Sequence, residues 1–154
     1  MIEQFKKHYQ YILLVPLVFF LITKFGYAHN ITDSLPHKHF IIVKHKNVAV
    51  GDYILFAAPK SSKYVGMNLI KQIVGDAGCK VVVNGNQVFI NQELIGVAKS
   101  HAKTENALAI ASAGIISDGK YFVANKHVDS YDSRYLDFGL IDGQDIIGVA
   151  HPLW

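Results

Sequence analysis

The chain has 154 residues, of which 51% are hydrophobic and 18% are charged, and its net charge is +3. This length suits one domain, and the composition excludes a disordered chain. The lysines are scattered and form no basic patch of the kind that binds nucleic acid. A single cysteine excludes an internal disulfide, and the Cys/His spacing of zinc sites is absent from the sequence.

The first predicted element is a membrane helix. Residues Tyr11–Thr23 read YILLVPLVFFLIT without a charge, and Phe25–Ala28 continue the apolar segment beyond Lys24. Counted from Tyr9 to Thr23 with Phe25–Ala28 added, the segment reaches the length that a membrane span needs, about 20 residues with about 17 near the lower limit. Lys6 and Lys7 precede the segment and one lysine follows it, which favours a cytoplasmic N-terminus. A cleaved signal peptide is the alternative, but a clear small-x-small cleavage site is missing.

The remainder is predicted to be one mainly β domain with mostly antiparallel strands. We expect residues 1–28 to be a cytoplasmic tip and anchor, and residues 29–154 to be an exported, periplasmic domain. Strand-like segments alternate with turn signals, at Gly-Asp 51–52, Asn-Gly 84–85, Asn-Gln 91–92 and Asp-Gly 118–119. The predicted strands include HFIIVK, YILFAAP, LIKQIV, KVVV, QVFI, KYFVA and DIIGVAHPLW. The segment KTENALAIASAGI is ambiguous between helix and loop.

Two separate residues could form a nucleophile and its base. Ser34 follows the apolar segment within a dozen residues, and Lys71 lies in the apolar strand NLIKQIVG. A serine hydroxyl is a poor nucleophile until a base removes its proton, and burial can lower the pKa of a lysine enough to serve. Taken singly, each stretch favours the alternative: a turn serine, and an edge-strand lysine that faces water.

A third stretch, DSYDSRYLDFG at Asp129–Gly139, is dense in polar residues. Asp132 and Arg134 can fix a loop as a partly buried ion pair, and Ser130 can orient a neutral lysine amine. The alternative is a solvated polar loop.

The chain also contains eight histidines, and His37, His39 and His45 flank Ser34. A Ser-His pair or a metal site is conceivable, but the histidine spacing of zinc peptidases is absent from the sequence. We interpret these histidines as surface residues near the membrane or the substrate groove. We assign no catalytic role to His127 or Asp129, and we expect neither a metal nor another cofactor.

Three motifs in order resemble the signal peptidase I (leader peptidase) family. They are SLP at Ser34–Pro36, LIKQIVGDAG at Leu69–Gly78, and SYDSRYLDFGLI…IIGVAHPLW at Ser130–Trp154. The resemblance is closer to the conjugative-transfer branch, the TraF-type pilin-maturation peptidases. It covers about residues 30–154 and implies a β-sheet domain of the signal peptidase or LexA-like type.

The resemblance implies a role for each matching residue. Ser34 would be the nucleophile and Lys71 the general base, with Ser130 positioning the lysine amine. Asp132 and Arg134 would form the pair that fixes the loop. Thr32 matches a position whose hydroxyl helps to form the oxyanion hole together with the backbone N–H of Ser34.

The sequence departs from the family pattern in three places. Lys38 stands where the family usually has glycine, so the turn differs or lysine adopts a positive φ. Ala77 and Cys79 replace Pro and Asp of the second motif. The family's G-D-N-x-x-x-S reads ANKHVDS here, from Ala124 to Ser130, which affects the expected shape of the late loop.

The predicted function is that of a membrane-anchored serine endopeptidase of the bacterial inner membrane. Its partners would be membrane lipid and an exported precursor with small residues before the cut, namely a conjugative pilin of a plasmid transfer system. Pilin cyclisation is one outcome in TraF-type enzymes. A LexA-like self-cleaving protein is an alternative, because such proteins share the Ser-Lys domain. They lack a membrane anchor, so the apolar segment argues against this alternative. A second hypothesis is a non-catalytic β module of a conjugative secretion apparatus.

Overall fold

A computed structural model describes residues 14–45, 47–99 and 108–153. Residues 14–24 are helical, and the large apolar side chains of this helix are exposed. Within the described ranges, no helix has both the length and the apolar character that a membrane crossing requires. The start of the predicted anchor, residues 1–13, lies outside those ranges. Phe25–Ala28, which we expected to extend the anchor, instead belong to a strand.

The described part of the chain contains eleven strands and one short 3-10 turn at Gly143–Asp145. In chain order the strands are β1 (Phe25–His29), β2 (His39–Val43), β3 (Tyr53–Ala57), β4 (Asn68–Gly75), β5 (Lys80–Asn84), β6 (Gln87–Ile90), β7 (Glu93–Val97), β8 (Gly114–Ile115), β9 (Lys120–Ala124), β10 (Ile141–Asp142) and β11 (Ile146–Pro152). The prediction of a mainly β domain is confirmed. Residues 108–113 of the ambiguous segment form no strand or helix, apart from one bridge between Ile110 and Tyr135.

Seven strands form the larger sheet, in the order β1-β2-β11-β3-β4-β9-β10. Every strand pair in it is antiparallel. The strand latest in the sequence, β11, lies between β2 and β3. Gly148 of β11 allows this fit, because a Cβ there would lie 2.4 Å from the carbonyl oxygen of Val43 on β2. The sheet shifts register at the same point.

A smaller antiparallel sheet has the order β7-β6-β5-β8. The predicted turn at Asn91-Gln92 is present, and both residues have positive φ between β6 and β7. The turn predicted at Asn84-Gly85 lies one residue later, because Asn84 pairs with Gln87 and the two-residue loop is Gly85 and Asn86, with positive φ at Gly85. Such turns match the right-handed twist of the flanking strands.

Buried apolar side chains form the core, and those of the described residues fall into three clusters. The largest cluster places Ile73 of β4 against Ile54 of β3, Val123 of β9 and the aromatic residues Tyr131 and Tyr135 that follow β9. Alternate residues of β4 point inward, so Lys71 lies on the same buried face as Ile73. The sheet therefore directs one lysine towards the interior.

Candidate active site

Lys71 occupies the interior of the larger sheet. Its strand β4 lies between β3 and β9, and Lys71 is opposite Ile54 of β3. Only 6% of the residue is exposed. The alternative of an edge-strand lysine facing water is therefore wrong.

The Lys71 amine is held by one hydroxyl in a poorly solvated place. Its Nζ donates to Ser130 Oγ at 2.7 Å. Burial lowers the pKa of Lys71 from 10.5 to about 8, while the charge of Asp132 acts to raise it and that of Arg134 to lower it. A substantial fraction of this lysine is thus neutral near pH 8 and able to accept a proton.

Asp132 and Arg134 form a buried bidentate ion pair. Arg134 Nε donates to Asp132 Oδ1 at 2.8 Å, and Arg134 Nη2 donates to Asp132 Oδ2 at 2.9 Å. The side chains are 0% and 2% exposed. The same Nη2 donates to the backbone carbonyl of Ser130 at 3.0 Å. The pair therefore fixes the loop that carries Ser130, the hydrogen-bond partner of Lys71. The alternative of a solvated polar loop is wrong.

The smaller sheet makes room for this guanidinium. A Cβ at Gly96 of β7 would lie 2.8 Å from Arg134 Nη1. A side chain at position 96 would therefore displace Arg134. This contact has no local signal in the sequence, because the two residues are 38 positions apart.

Ser34 lies in a loop between β1 and β2, and local hydrogen bonds organise that loop. The backbone N–H of Asn30 donates to the carbonyl of Lys38 at 2.7 Å and closes the loop. The amide of Asn30 donates to the carbonyls of Thr32 and His37. Leu35, directly after the serine, is buried against Phe40 and anchors the loop to the sheet.

The Ser34 hydroxyl has two hydrogen-bond partners among the described residues. It bonds Thr32 Oγ1 at 2.8 Å, and it accepts from Asn125 Nδ2 at 3.5 Å. No direct hydrogen bond joins it to Lys71 in the described part of the chain. Both residues nevertheless line one cavity of about 820 Å³, together with Thr32 and Ser130. The fold thus brings the predicted residues of three distant motifs to one place.

The departure at Lys38 does not require an unusual backbone. Lys38 has no positive φ, and its ammonium donates to Asp33 Oδ1 at 2.7 Å and to the carbonyl of Thr32 at 3.1 Å. The turn is therefore built by side-chain contacts rather than by a glycine. Among the nearby histidines, the ring of His39 bonds the hydroxyl of Tyr27.

Asn125 is the site residue that sequence reasoning missed. In the sequence it stands out only as a departure from the family pattern, yet it is buried and contacts Ser34. Its Oδ1 accepts from the backbone N–H of Gln72, the residue after Lys71. Its place at the end of strand β9, five residues before Ser130, was the available signal.

The described residues offer little to a metal ion. Within those ranges, no three His, Cys, Asp or Glu side chains are grouped closely enough to bind one.

The family model for "Signal peptidase, peptidase S26" matches residues 1–154. The chain belongs to this signal peptidase family. It is thus a hydrolase of the class that cleaves signal peptides from exported precursors, and signal peptidase I proteins are typically membrane-associated. The match does not separate the conjugative-transfer branch from the rest, so that finer assignment stays a prediction.

A solved structure of a signal peptidase I from Enterococcus faecalis V583 is similar to the chain, with 21% identity and a TM-score of 0.43. The match covers 67% of this chain and 96% of that one. No curated protein matches the chain.

Proposed function

We propose that the protein is a serine endopeptidase with a Ser34–Lys71 dyad, which removes the leader segment of an exported precursor. The observation that carries this proposal is the buried Lys71 amine, with its pKa lowered to about 8, in the same cavity as Ser34. Burying a lysine costs stability, because its charged form loses hydration. A lysine that is kept buried in a cavity beside a serine therefore supports a functional role. Its lowered pKa suits a general base near neutral pH.

The reaction is an acyl transfer. Neutral Lys71 takes the Ser34 proton as Oγ attacks the scissile carbonyl and forms a tetrahedral intermediate. Collapse of the intermediate breaks the C–N bond, and the Lys71 ammonium returns the proton to the leaving amine. Water, activated in the same way, then hydrolyses the ester on Ser34.

The other predicted residues support these steps. When the oxyanion of the intermediate forms, the Thr32 hydroxyl turns from Asn30 to donate to it, together with the backbone N–H of Ser34. Ser130 keeps the Lys71 amine in one orientation, and their 2.7 Å hydrogen bond supports this role. The Asp132–Arg134 pair holds the Ser130 loop.

For the substrate, we propose a pilin precursor of a conjugative plasmid transfer system, as in the TraF-type branch. It would bind as an added strand, with small residues before the cut. Strand β1 lies at an edge of the larger sheet, and its residues Tyr27–His29 line the cavity, which supports strand addition there. Attack on the acyl-enzyme by the substrate's own amine, instead of water, would give a cyclic pilin.

We also propose a single-pass anchor in the bacterial inner membrane, with the N-terminus cytoplasmic and the peptidase domain periplasmic. The uncharged segment Tyr11–Thr23 and the preceding Lys6 and Lys7 support this topology. We expect the full chain to resist alkaline extraction from membranes and a variant lacking residues 1–24 to be extracted. Extraction of the full chain would contradict the anchor.

The test is cleavage of a co-expressed pilin precursor. Wild type should convert the precursor, whereas Ser34→Ala and Lys71→Ala should leave it intact at equal protein levels. Ser61→Ala and Lys60→Ala change the same residue types at exposed positions and should process normally. The mass of the product separates a linear pilin from a cyclic one by the mass of one water.

Two results would change the assignment. Processing by Ser34→Ala would exclude this nucleophile, and equal processing in cells that lack the protein would favour the non-catalytic β module. Processing by Lys71→Ala alone would keep Ser34 and exclude Lys71 as the base.

A further inference from the structure

The hydrogen bonds around Ser34 have directions that the structure fixes. The Asn30 amide donates from Nδ2 to two backbone carbonyls, those of Thr32 and His37, at 2.9 and 3.3 Å. Its Oδ1 accepts from the backbone N–H of Thr32 at 3.2 Å. The amide orientation is therefore set by backbone groups, whose donor and acceptor roles cannot be exchanged.

That orientation decides where two hydroxyl protons lie. Thr32 Oγ1 is 2.9 Å from Asn30 Oδ1, and a carbonyl oxygen only accepts, so Thr32 must donate to it. A hydroxyl has one proton. Ser34 must therefore be the donor in its 2.8 Å hydrogen bond with Thr32.

Asn125 is oriented by the same reasoning. Its Oδ1 accepts from the backbone N–H of Gln72 at 3.2 Å, which directs its NH2 group to Ser34 Oγ at 3.5 Å. The Asn125 backbone is also held, because its N–H donates to Asp132 Oδ2 and its carbonyl accepts from Arg134 Nη2. Only 3% of Asn125 is exposed. This donor is thus fixed between the strand of Lys71 and the nucleophile.

We propose that Asn125 is a positioning residue for the nucleophile, and that the free enzyme directs the Ser34 proton towards Thr32. Asn125 donates to a lone pair of Oγ, so this contact persists while the hydroxyl hydrogen rotates. Rotation breaks the bond to Thr32 and directs the same proton to neutral Lys71, with no proton lost in that step. The inference rests on the proposed dyad and adds a donor that neither the motifs nor the family match assigns.

Asn125→Asp separates this role from a purely structural one. A carboxylate keeps an acceptor for Gln72 N–H but has no N–H donor for Ser34. We expect kcat for precursor cleavage to fall about tenfold, the effect of roughly one hydrogen bond, with KM unchanged. The added negative charge should also stabilise the Lys71 ammonium and move the midpoint of the pH–kcat/KM profile upward.

Asn86→Asp is the matched control. Asn86 is exposed in the loop between β5 and β6 of the smaller sheet, so the same change of charge should leave both kcat and the midpoint unchanged. A folded Asn125→Asp enzyme with a kcat within twofold of wild type and an unmoved midpoint would overturn the proposal.

A second measurement requires no activity. In ¹H–¹⁵N spectra of the full chain in detergent micelles, the Asn125 side-chain amide should shift in Ser34→Ala and remain in place in Ser61→Ala. An unchanged Asn125 signal would exclude the contact. If wild type fails to cleave the precursor, the proposed function fails separately, and this spectrum alone decides whether Asn125 holds Ser34.

Discussion

The two halves of the candidate site are built differently. Lys71 and its supporting residues Ser130, Asp132 and Arg134 are buried, and the hydrogen bond from Lys71 to Ser130 joins residues 59 positions apart. Ser34 lies in a more exposed loop that is organised mainly by neighbours within Asn30–Lys38. The proposed base therefore depends on the whole fold, whereas the proposed nucleophile depends mainly on local contacts, with the distant Asn125 as a further partner. Changes in the two halves should differ in their cost to stability.

Arg134→Met should have the largest effect on stability. It leaves the Asp132 carboxylate buried without its partner, which costs about 3–5 kcal/mol of unfolding free energy. Chemical denaturation measures the loss. Lys120→Met is the control, because its 2.5 Å pair with Asp142 is partly exposed and should cost at most about 1 kcal/mol. Equal losses in the two variants would contradict the contrast between buried and exposed pairs.

Activity should depend strongly on pH through the protonation of Lys71. As the proposed base, Lys71 must be neutral, so kcat/KM should rise through about pH 8, the pKa to which burial lowers this lysine. Below that value the neutral fraction falls tenfold per pH unit, so activity at pH 6 should be about 100-fold lower than its plateau. A profile that is flat between pH 6 and 9 would exclude Lys71 as the base.

Gly96→Ala should have an intermediate effect. Its Cβ would lie 2.8 Å from Arg134 Nη1, and such overpacking costs about 1–3 kcal/mol. The melting temperature and the rate of precursor cleavage should both fall, because Arg134 holds the Ser130 loop. Gly114→Ala is the control, since a Cβ there meets nothing within 4 Å. A stable, fully active Gly96→Ala variant would show that the guanidinium position is not critical.

Lys38→Met should have the smallest effect. The ammonium bonds Asp33 and the carbonyl of Thr32, but the ion pair is exposed, at 44% and 91%. We expect a loss of about 0–1 kcal/mol, measured against Lys126→Met, another exposed lysine. A loss above that range would show that the nucleophile loop supports the fold more strongly than its exposure indicates.

Local chemistry made much of the fold predictable. The strand of Lys71, the turn at Asn91-Gln92 and the strand after Asp118-Gly119 follow from alternation and turn residues. The apolar character of Phe25–Ala28 suited a membrane segment as well as a strand, and only pairing with β2 decides between them. Composition does not encode that pairing.

Long-range contacts determine the features of the fold and the site that the sequence did not predict. The position of β11 between β2 and β3 has no local signal. Asn125 was visible as a polar residue after a strand, but its contact with Ser34 joins residues 91 positions apart. The motifs predicted which residues matter, and the tertiary structure determines which atoms meet.

The central place of β11 has a consequence for the order of folding. Residues 146–152 separate β2, which follows the Ser34 loop, from β3, which leads to the strand of Lys71. The larger sheet therefore cannot close until this late segment has emerged, and such long-range pairing slows folding. In a partly synthesised chain, Ser34 and Lys71 therefore lie next to strands that are not yet joined into one sheet. The proposed proteolytic activity would then arise only after the domain is complete, which protects the emerging chain from its own site.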